Sequence, residues 1–458
     1  LTVAAMLPEG WNKRLLDLNV TKLTAKSLDW ADAVFISSML VQREAARRVI
    51  DRCKTAGIRI IAGGPLFTSE HGQFPEVDHF VLNEAELTLP QFLNDFTQRQ
   101  AKRVYTSTEF ADILNTPVPL WHLLDMRRYA AMSIQYSRGC PFQCDFCNVT
   151  TLFGHQPRTK SAEQILAELD GLYIQGWRGS IFFVDDNFIG NKKHLKTELL
   201  PALINWQKTR GRISFYTEAS INLADDQLLV EMMVAAGFDM VFIGIETPNE
   251  LGLAESGKRQ NQSRDLVEDI KYLQRSGLQV QGGFIVGFDS DTPAIFQSQI
   301  DFIQNSGIVT AMVGLLQALP GTRLYERMQR EGRLISASTG DNVSVSTNIL
   351  PTMSLETLQE GYKRILRTVY SPENYYQRVK TLLRDYPPPK IRSELSFHYK
   401  LALFNSIYRL GLLGKERLYF WRVMLWTLFR RPRLFPLAIT LAIYGYHFRT
   451  ICERYILR

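Results

Sequence analysis

Cys140, Cys144 and Cys147 stand within eight residues, in the run Arg138-Gly139-Cys140-Pro141-Phe142-Gln143-Cys144-Asp145-Phe146-Cys147. Thiolates spaced CxxxCxxC can each take one iron of a single iron–sulfur cube. A self-contained [4Fe–4S] site uses four cysteines, and the only others in the chain are the distant Cys53 and Cys452. Three ligands leave one iron open, and an open metal position is where a substrate or cofactor binds. Zinc would call for four Cys or His ligands in paired spacing. His155 is a nearby candidate for the fourth, but Phe153-Gly154-His155-Gln156-Pro157 reads as an ordinary loop. An odd number of cysteines and no secretory signal point to a reducing, cytoplasmic setting rather than to disulfides.

These residues need a scaffold that ends strands close together. Strand patterns fit Met132–Tyr136 before the cysteines and, after them, Ser180–Asp185, Ile213–Thr217, Met240–Ile245, Val280–Gly287 and Val309–Leu316, with helical stretches between. Six βα units in series predict an incomplete (β/α)6 barrel of the TIM type, with its chemistry at the carboxyl ends of the strands. The cysteine loop follows the first strand. The other strand ends carry Asp185-Asp186-Asn187, Glu218, Glu246 and Gly287. Any of these acids could instead be a solvated loop residue or a helix cap.

With Phe146 before the last cysteine the motif is CxxxCxΦC, and here the chain resembles the radical S-adenosylmethionine (SAM) superfamily. Gly283-Phe284-Ile285-Val286-Gly287 resembles the GxIxG pattern at strand five of that family, and Leu319-Pro320-Gly321-Thr322 its turn after strand six. The resemblance implies that SAM occupies the open iron and lies against Phe146. It also puts Asp185 or Asp186 near the SAM amino group, Glu218 and Glu246 near its ribose or carboxylate, and the backbone at Gly287 near adenine. Lys258 and Arg259 are further candidates for the SAM carboxylate. At strand two the family usually carries a GGE-like motif; this chain has Val184-Asp185-Asp186-Asn187.

Residues 1–98 alternate short apolar runs with helices. Arg14–Leu18, Ala33–Ser37, Ile58–Ala62 and His79–Leu82 fit strands, Gln42–Ala56 and Leu87–Gln98 helices. That alternation predicts a doubly wound, Rossmann-like parallel sheet, whose ligand would meet Ser37, Ser38, Gly63, Gly64 and Glu84 at the strand ends. The opening residues read as a helix already in progress, so the first strand is expected to be missing. Ahead of a radical SAM core, such a segment resembles the cobalamin-binding domain of the B12-dependent subgroup, without the DxHxxG motif some B12 proteins carry. Residues 99–131 read as a linker.

The formal charge is +7, yet Lys390–Arg458 holds 13 Lys and Arg against three acids, which leaves the rest of the chain near −3. The basic excess belongs to the tail, so no nucleic-acid partner is expected. No apolar run reaches 18 residues. Ser336–Asn348 is a polar loop, Leu355–Tyr370 a helix, and Leu401–Phe429 and Leu434–Tyr446 are apolar and aromatic. Basic amphipathic helices of this kind fit either an anionic membrane surface or a cap on the barrel.

The expected architecture is α/β: a truncated cobalamin-binding domain (1–98), a linker (99–131), a radical SAM core (132–335) and a helical extension (336–458). The combination resembles the subgroup that includes hopanoid C2-methyltransferases. It implies a methyltransferase acting on an unactivated carbon of a small-molecule or lipid substrate. The cluster and SAM would supply an adenosyl radical, cobalamin a methyl group, and a flavodoxin- or ferredoxin-type donor the electron. A radical cyclase or oxidoreductase without methyl transfer, and a cluster-bearing sensor, stay open as alternatives. A second cluster, which methylthiotransferases need, is excluded by the cysteine count.

Overall fold

The computed structural model describes residues 1–341, 344–388 and 403–457. The chain packs as two units. The first holds Leu1–Phe215, Ala318–Arg327 and Ala337–Asp341; the second holds Tyr216–Gln317, Met328–Ser336 and Asn342–Arg458. The start of the basic tail, 389–402, lies outside the described residues, as do 342 and 343 in the polar loop.

The amino-terminal sheet has four parallel strands in chain order, β1 (Ala33–Ser37), β2 (Arg59–Gly63), β3 (His79–Val81) and β4 (Val104–Tyr105). Side chains alternate across it: Ile60 and Ala62 of β2 join one apolar core with Ile50, Phe67 and Phe80. Ile61 joins another with Val81, Leu89 and Phe92. Both faces are therefore covered, as a parallel sheet requires. The helix Arg43–Thr55 buries Ala46, Ile50 and Cys53, one stripe at helical spacing;. The expected strand at Arg14–Leu18 does not form. The Asp17 side chain accepts from the Asn19 amide at 2.9 Å, and its carbonyl accepts from Thr21 at 2.8 Å, turning the chain away from any ladder;. The two-residue β4 lies in the stretch expected to be a linker.

The second sheet has six strands in chain order, β5 (Ala131–Ile134), β8 (Ser180–Phe183), β9 (Phe215–Ala219), β10 (Phe238–Glu246), β11 (Gln279–Val286) and β12 (Ala311–Leu315). The β5–β8, β10–β11 and β11–β12 pairs are parallel, and this is the curled half-barrel expected from the sequence. A short antiparallel hairpin, β6 (Ser137–Arg138) with β7 (Arg158–Thr159), brackets the cysteine loop. The helix Ala162–Ile174 starts on a reciprocal cap between Ser161 and Gln164;. Asp226 and Asp265 cap the helices Gln227–Ala236 and Leu266–Ser276, which stop at left-handed Gly237 and Gly277;.

In the second unit the carboxyl-terminal helices Leu355–Val369, Pro372–Asp385, Arg417–Arg430 and Phe435–Ile451 pack together. Arg378 is fully buried and donates to the Ile308 carbonyl at 3.0 Å. Burial pulls its pKa down to about 10. No helix among the described residues is long and apolar enough to cross a membrane.

Candidate active site

The cysteine loop is shaped by backbone that only glycine tolerates. Gly139 has φ +95°, and a Cβ there would lie 2.8 Å from the Gln156 carbonyl oxygen. The Cys140 amide donates to Gly154 O at 3.2 Å and Cys147 to Cys144 O at 3.1 Å. The loop is braced from the turn expected after strand six. Thr151 Oγ1 donates to Gly321 O at 2.9 Å, the Leu324 amide to Asp145 O at 2.9 Å, and Arg323 to Gln143 Oε1 at 2.7 Å.

All three thiols are half-buried. Among the described residues no three Cys, His, Asp or Glu side chains converge on one metal ion. Thiolates that each hold a different iron of a cube must stand farther apart than the ligands of one tetrahedral ion. Three thiolates in this spacing are donors that fit three irons of one cluster, and His155 is in no such group among the described residues.

At the end of β8 the two neighbouring aspartates differ. Asp185 is fully buried and accepts from the backbone amides of Tyr136, at 3.1 Å, and Ser137. Burial pushes its pKa up to about 7 while those donors hold it down. It thus positions the start of the cysteine hairpin. Asp186 is exposed to solvent, yet desolvation by the surrounding atoms raises its pKa to about 6;. Buried Asn187 directs its amide at Cys140 Sγ, 3.9 Å away. The sequence named Asn187 only as part of this strand end, without a role, and gave none to Tyr136, whose hydroxyl meets His194 Nδ1 at 2.6 Å.

In the second unit, Glu246 ends β10 in a left-handed conformation, φ +65°, beside a register shift between Gly244 and Glu246. Its buried carboxylate pairs with Lys258 Nζ at 2.7 Å, so this lysine is occupied by a protein carboxylate. Gly244 makes room for the pair: a Cβ there would sit on the Glu246 carboxylate and 2.9 Å from Lys258 Nζ. Asn261 donates to the Gly244 and Ile245 carbonyls at 3.1 Å. The Gly287 amide is bound by Asp291 Oδ2 at 2.9 Å, and burial lifts the Asp291 pKa to about 6. Asn261 Oδ1 is a buried acceptor with no hydrogen-bond partner among the described residues, whereas the Asp291 carboxyl also has the Asn249 side chain beside it. An open buried acceptor suits a ligand that brings a hydroxyl or amino donor. Glu218 is half-buried on β9, and Phe146 lies half-buried within the cysteine loop.

A cavity of about 1490 Å³ opens at the carboxyl ends of β1 and β2, lined by Ser37, Ser38, Gly63 and Gly64 and reaching Met132 and Ser133 of β5. Ordinary small-molecule pockets run to about 1,000 Å³, so this one suits a ligand of corrinoid size. Trp11, Trp30, Trp121 and Tyr129 also line it; lacking any motif, they were not legible as ligand contacts. Leu16 and Leu18, from the failed strand, line it too.

Glu84 is not among these lining residues. It is buried under two arginines: Arg138 at 3.1 Å and Arg158 at 2.9 Å. Glu86, at the start of the helix Ala85–Thr97, takes Arg138 at 2.8 Å. Burial alone would raise the Glu86 pKa, but Arg138 holds it below the ordinary range. Arg138 and Arg158 are the paired ends of the cysteine hairpin, so the helix after β3 is locked to the loop of the three cysteines.

Gly64 has φ +87° and ψ 177°, a region essentially reserved for glycine, and a Cβ there would lie 2.7 Å from Ser37 Oγ. Gly64→Ala is expected to cost about 1–3 kcal/mol of stability and to weaken cobalamin binding about tenfold or more. Thermal unfolding and corrin absorbance after gel filtration check both.

A cobalamin-type cavity on a parallel sheet, followed by a curled sheet with a three-cysteine loop, defines a B12-dependent radical enzyme. Known proteins agree. The B12 binding domain family matches residues 1–93, the radical SAM superfamily 134–303, and a domain family of unknown function 322–457. An uncharacterized methyltransferase of Synechocystis sp. is 38% identical over 455 residues, covering 98% of this chain and 85% of the relative. The hopanoid C-2 methylase of Rhodopseudomonas palustris is 34% identical over 443 residues, 94% of this chain and 83% of the relative. In fold, the chain is similar to the radical SAM methyltransferase TsrM of Kitasatospora setae, solved with cobalamin and a [4Fe–4S] cluster bound. The TM-score is 0.61 at 13% identity, over 93% of this chain and 90% of that one. The chain belongs to the cobalamin-dependent radical SAM methyltransferases. It is an enzyme that uses a [4Fe–4S] cluster, SAM and cobalamin to methylate a small molecule, and an unactivated carbon fits as the acceptor.

Proposed function

We propose that the methyl acceptor is an unactivated carbon of a polycyclic lipid, and that the enzyme works on the cytoplasmic face of the membrane. The observation that carries this reading is the 34% identity to a hopanoid C-2 methylase, which spans 94% of this chain. The cluster and SAM supply a carbon-centred oxidant and cobalamin supplies the methyl group. The chain's own residues hold and orient them. Cys140, Cys144 and Cys147 bind three irons, and Asn187 supports the Cys140 sulfur. In the first unit Asp186 and Phe146 are the residues offered to SAM; in the second they are Glu218 and Glu246, the latter held by Lys258, with Asn261 presenting a buried acceptor. Ser37, Ser38, Gly63 and Gly64 receive the corrin in the cavity. A flavodoxin- or ferredoxin-type protein delivers the electron. The segments 1–98, 99–131, 132–335 and 336–458 act as cobalamin domain, connector, radical core and helical extension.

The test uses anaerobically reconstituted enzyme with SAM labelled in its methyl group and a bacterial lipid extract. Label in a polycyclic lipid fraction is the expected result. Label confined to water-soluble products would overturn the lipid assignment while leaving the methyltransferase intact.

A further inference from the structure

The helix Arg417–Arg430 is apolar on two opposite faces. Phe420, Val423, Met424 and Thr427 are buried, with Phe420 edge-on to Tyr376 at 6.5 Å. The opposite stripe, Leu418, Trp421, Leu425 and Leu428, is exposed, and Phe429 beside it is 79% exposed. Trp421 Nε1 donates to Gly411 O at 2.9 Å. That bond ties the stripe to the preceding helical segment, whose Leu412 is also exposed.

Charge says what this face meets. At 100° per residue, Arg417 and Arg422 fall on either flank of the stripe, and both are exposed, as are Arg409, Lys415, Arg430 and Arg433. Between 403 and 433 the only acid is Glu416. Its side chain is 5% exposed and neutralised by Arg449. An apolar stripe bordered by cations with no free acid is complementary to an anionic bilayer, where the ring and leucines enter the acyl boundary and the guanidiniums meet phosphates. A second copy of the chain would bring the same cations against these.

We infer that the hairpin formed by residues 403–430 docks on an anionic membrane surface through Leu418, Trp421, Leu425, Leu428 and Phe429. This deepens the lipid reading, because a lipid substrate reaches such an enzyme from the bilayer. Binding is measured without SAM, so its failure is separable from failure of the methylation assay.

The experiment is flotation of the full chain with vesicles of phosphatidylcholine alone or mixed with phosphatidylglycerol. Light scattering beforehand gives the oligomeric state. Flotation with the anionic vesicles is expected, and Arg422→Gln/Arg430→Gln should weaken it by about thirtyfold. Leu418→Glu/Phe429→Glu should abolish it while the circular dichroism spectrum stays unchanged. If that double variant misfolds, Leu425→Ser in the same exposed stripe replaces it. Absence of flotation, flotation indifferent to all these changes, or a dimer that Leu418→Glu/Phe429→Glu dissociates would each overturn the inference.

Discussion

Cys144→Ala abolishes reductive cleavage of SAM, and the protein fails to hold a full complement of iron. Two thiolates cannot fix a cube with one iron turned toward a ligand, and neither remaining cysteine can replace the third. Cys53 is fully buried in the amino-terminal core, and burial raises its pKa. Cys452 is buried among the terminal helices, and burial pushes its pKa up to about 11. Iron per chain and 5′-deoxyadenosine formed under strong reductant measure the effect, with Cys452→Ser as the control that keeps both. Cleavage retained in Cys144→Ala would remove the cluster from its assigned place.

The next largest effect is expected at Arg138. Removing one partner of a buried ion pair costs about 3–5 kcal/mol, because the other charge stays buried. In Arg138→Met, Glu84 still has Arg158, but Glu86 is left with Thr116 Oγ1 at 2.9 Å, so the lower end of that range is expected. Arg138→Lys keeps the charge without the forked geometry that reaches Glu84 and Glu86 together, and should lie between. A merely structural loss would lower stability alone. A positioning role also lowers the ratio of S-adenosylhomocysteine to 5′-deoxyadenosine, as the cysteine loop loses its register against the helix after β3. Denaturant unfolding and product ratios at matched iron content separate the two.

Much of this was legible in the sequence because it rests on local pattern. Three thiols in eight residues, strand runs ending in Gly or Asp, and glycines at helix ends all speak within a short window. The six barrel strands fall within two residues of their expected bounds at either end. Arg14–Leu18 misled because its leucines face a cavity rather than a neighbouring strand, and one Asx turn at Asp17 decides against pairing. Glu84 looked like a ligand contact because it follows a strand end. Its true partners, Arg138 and Arg158, are 54 and 74 residues away, and no spacing rule links them. The unequal Asp185 and Asp186, and the Trp11, Trp30 and Trp121 lining, likewise depend on tertiary placement.

The central claim is met most directly by supplying the reconstituted enzyme with cobalamin, SAM, a strong reductant and lipid extract, without oxygen, and measuring two products together. Equal formation of 5′-deoxyadenosine and S-adenosylhomocysteine is predicted, since each turnover spends one SAM on the radical and one on the methyl group. Deoxyadenosine without S-adenosylhomocysteine, or neither product from protein replete in cluster and cobalamin, would contradict it.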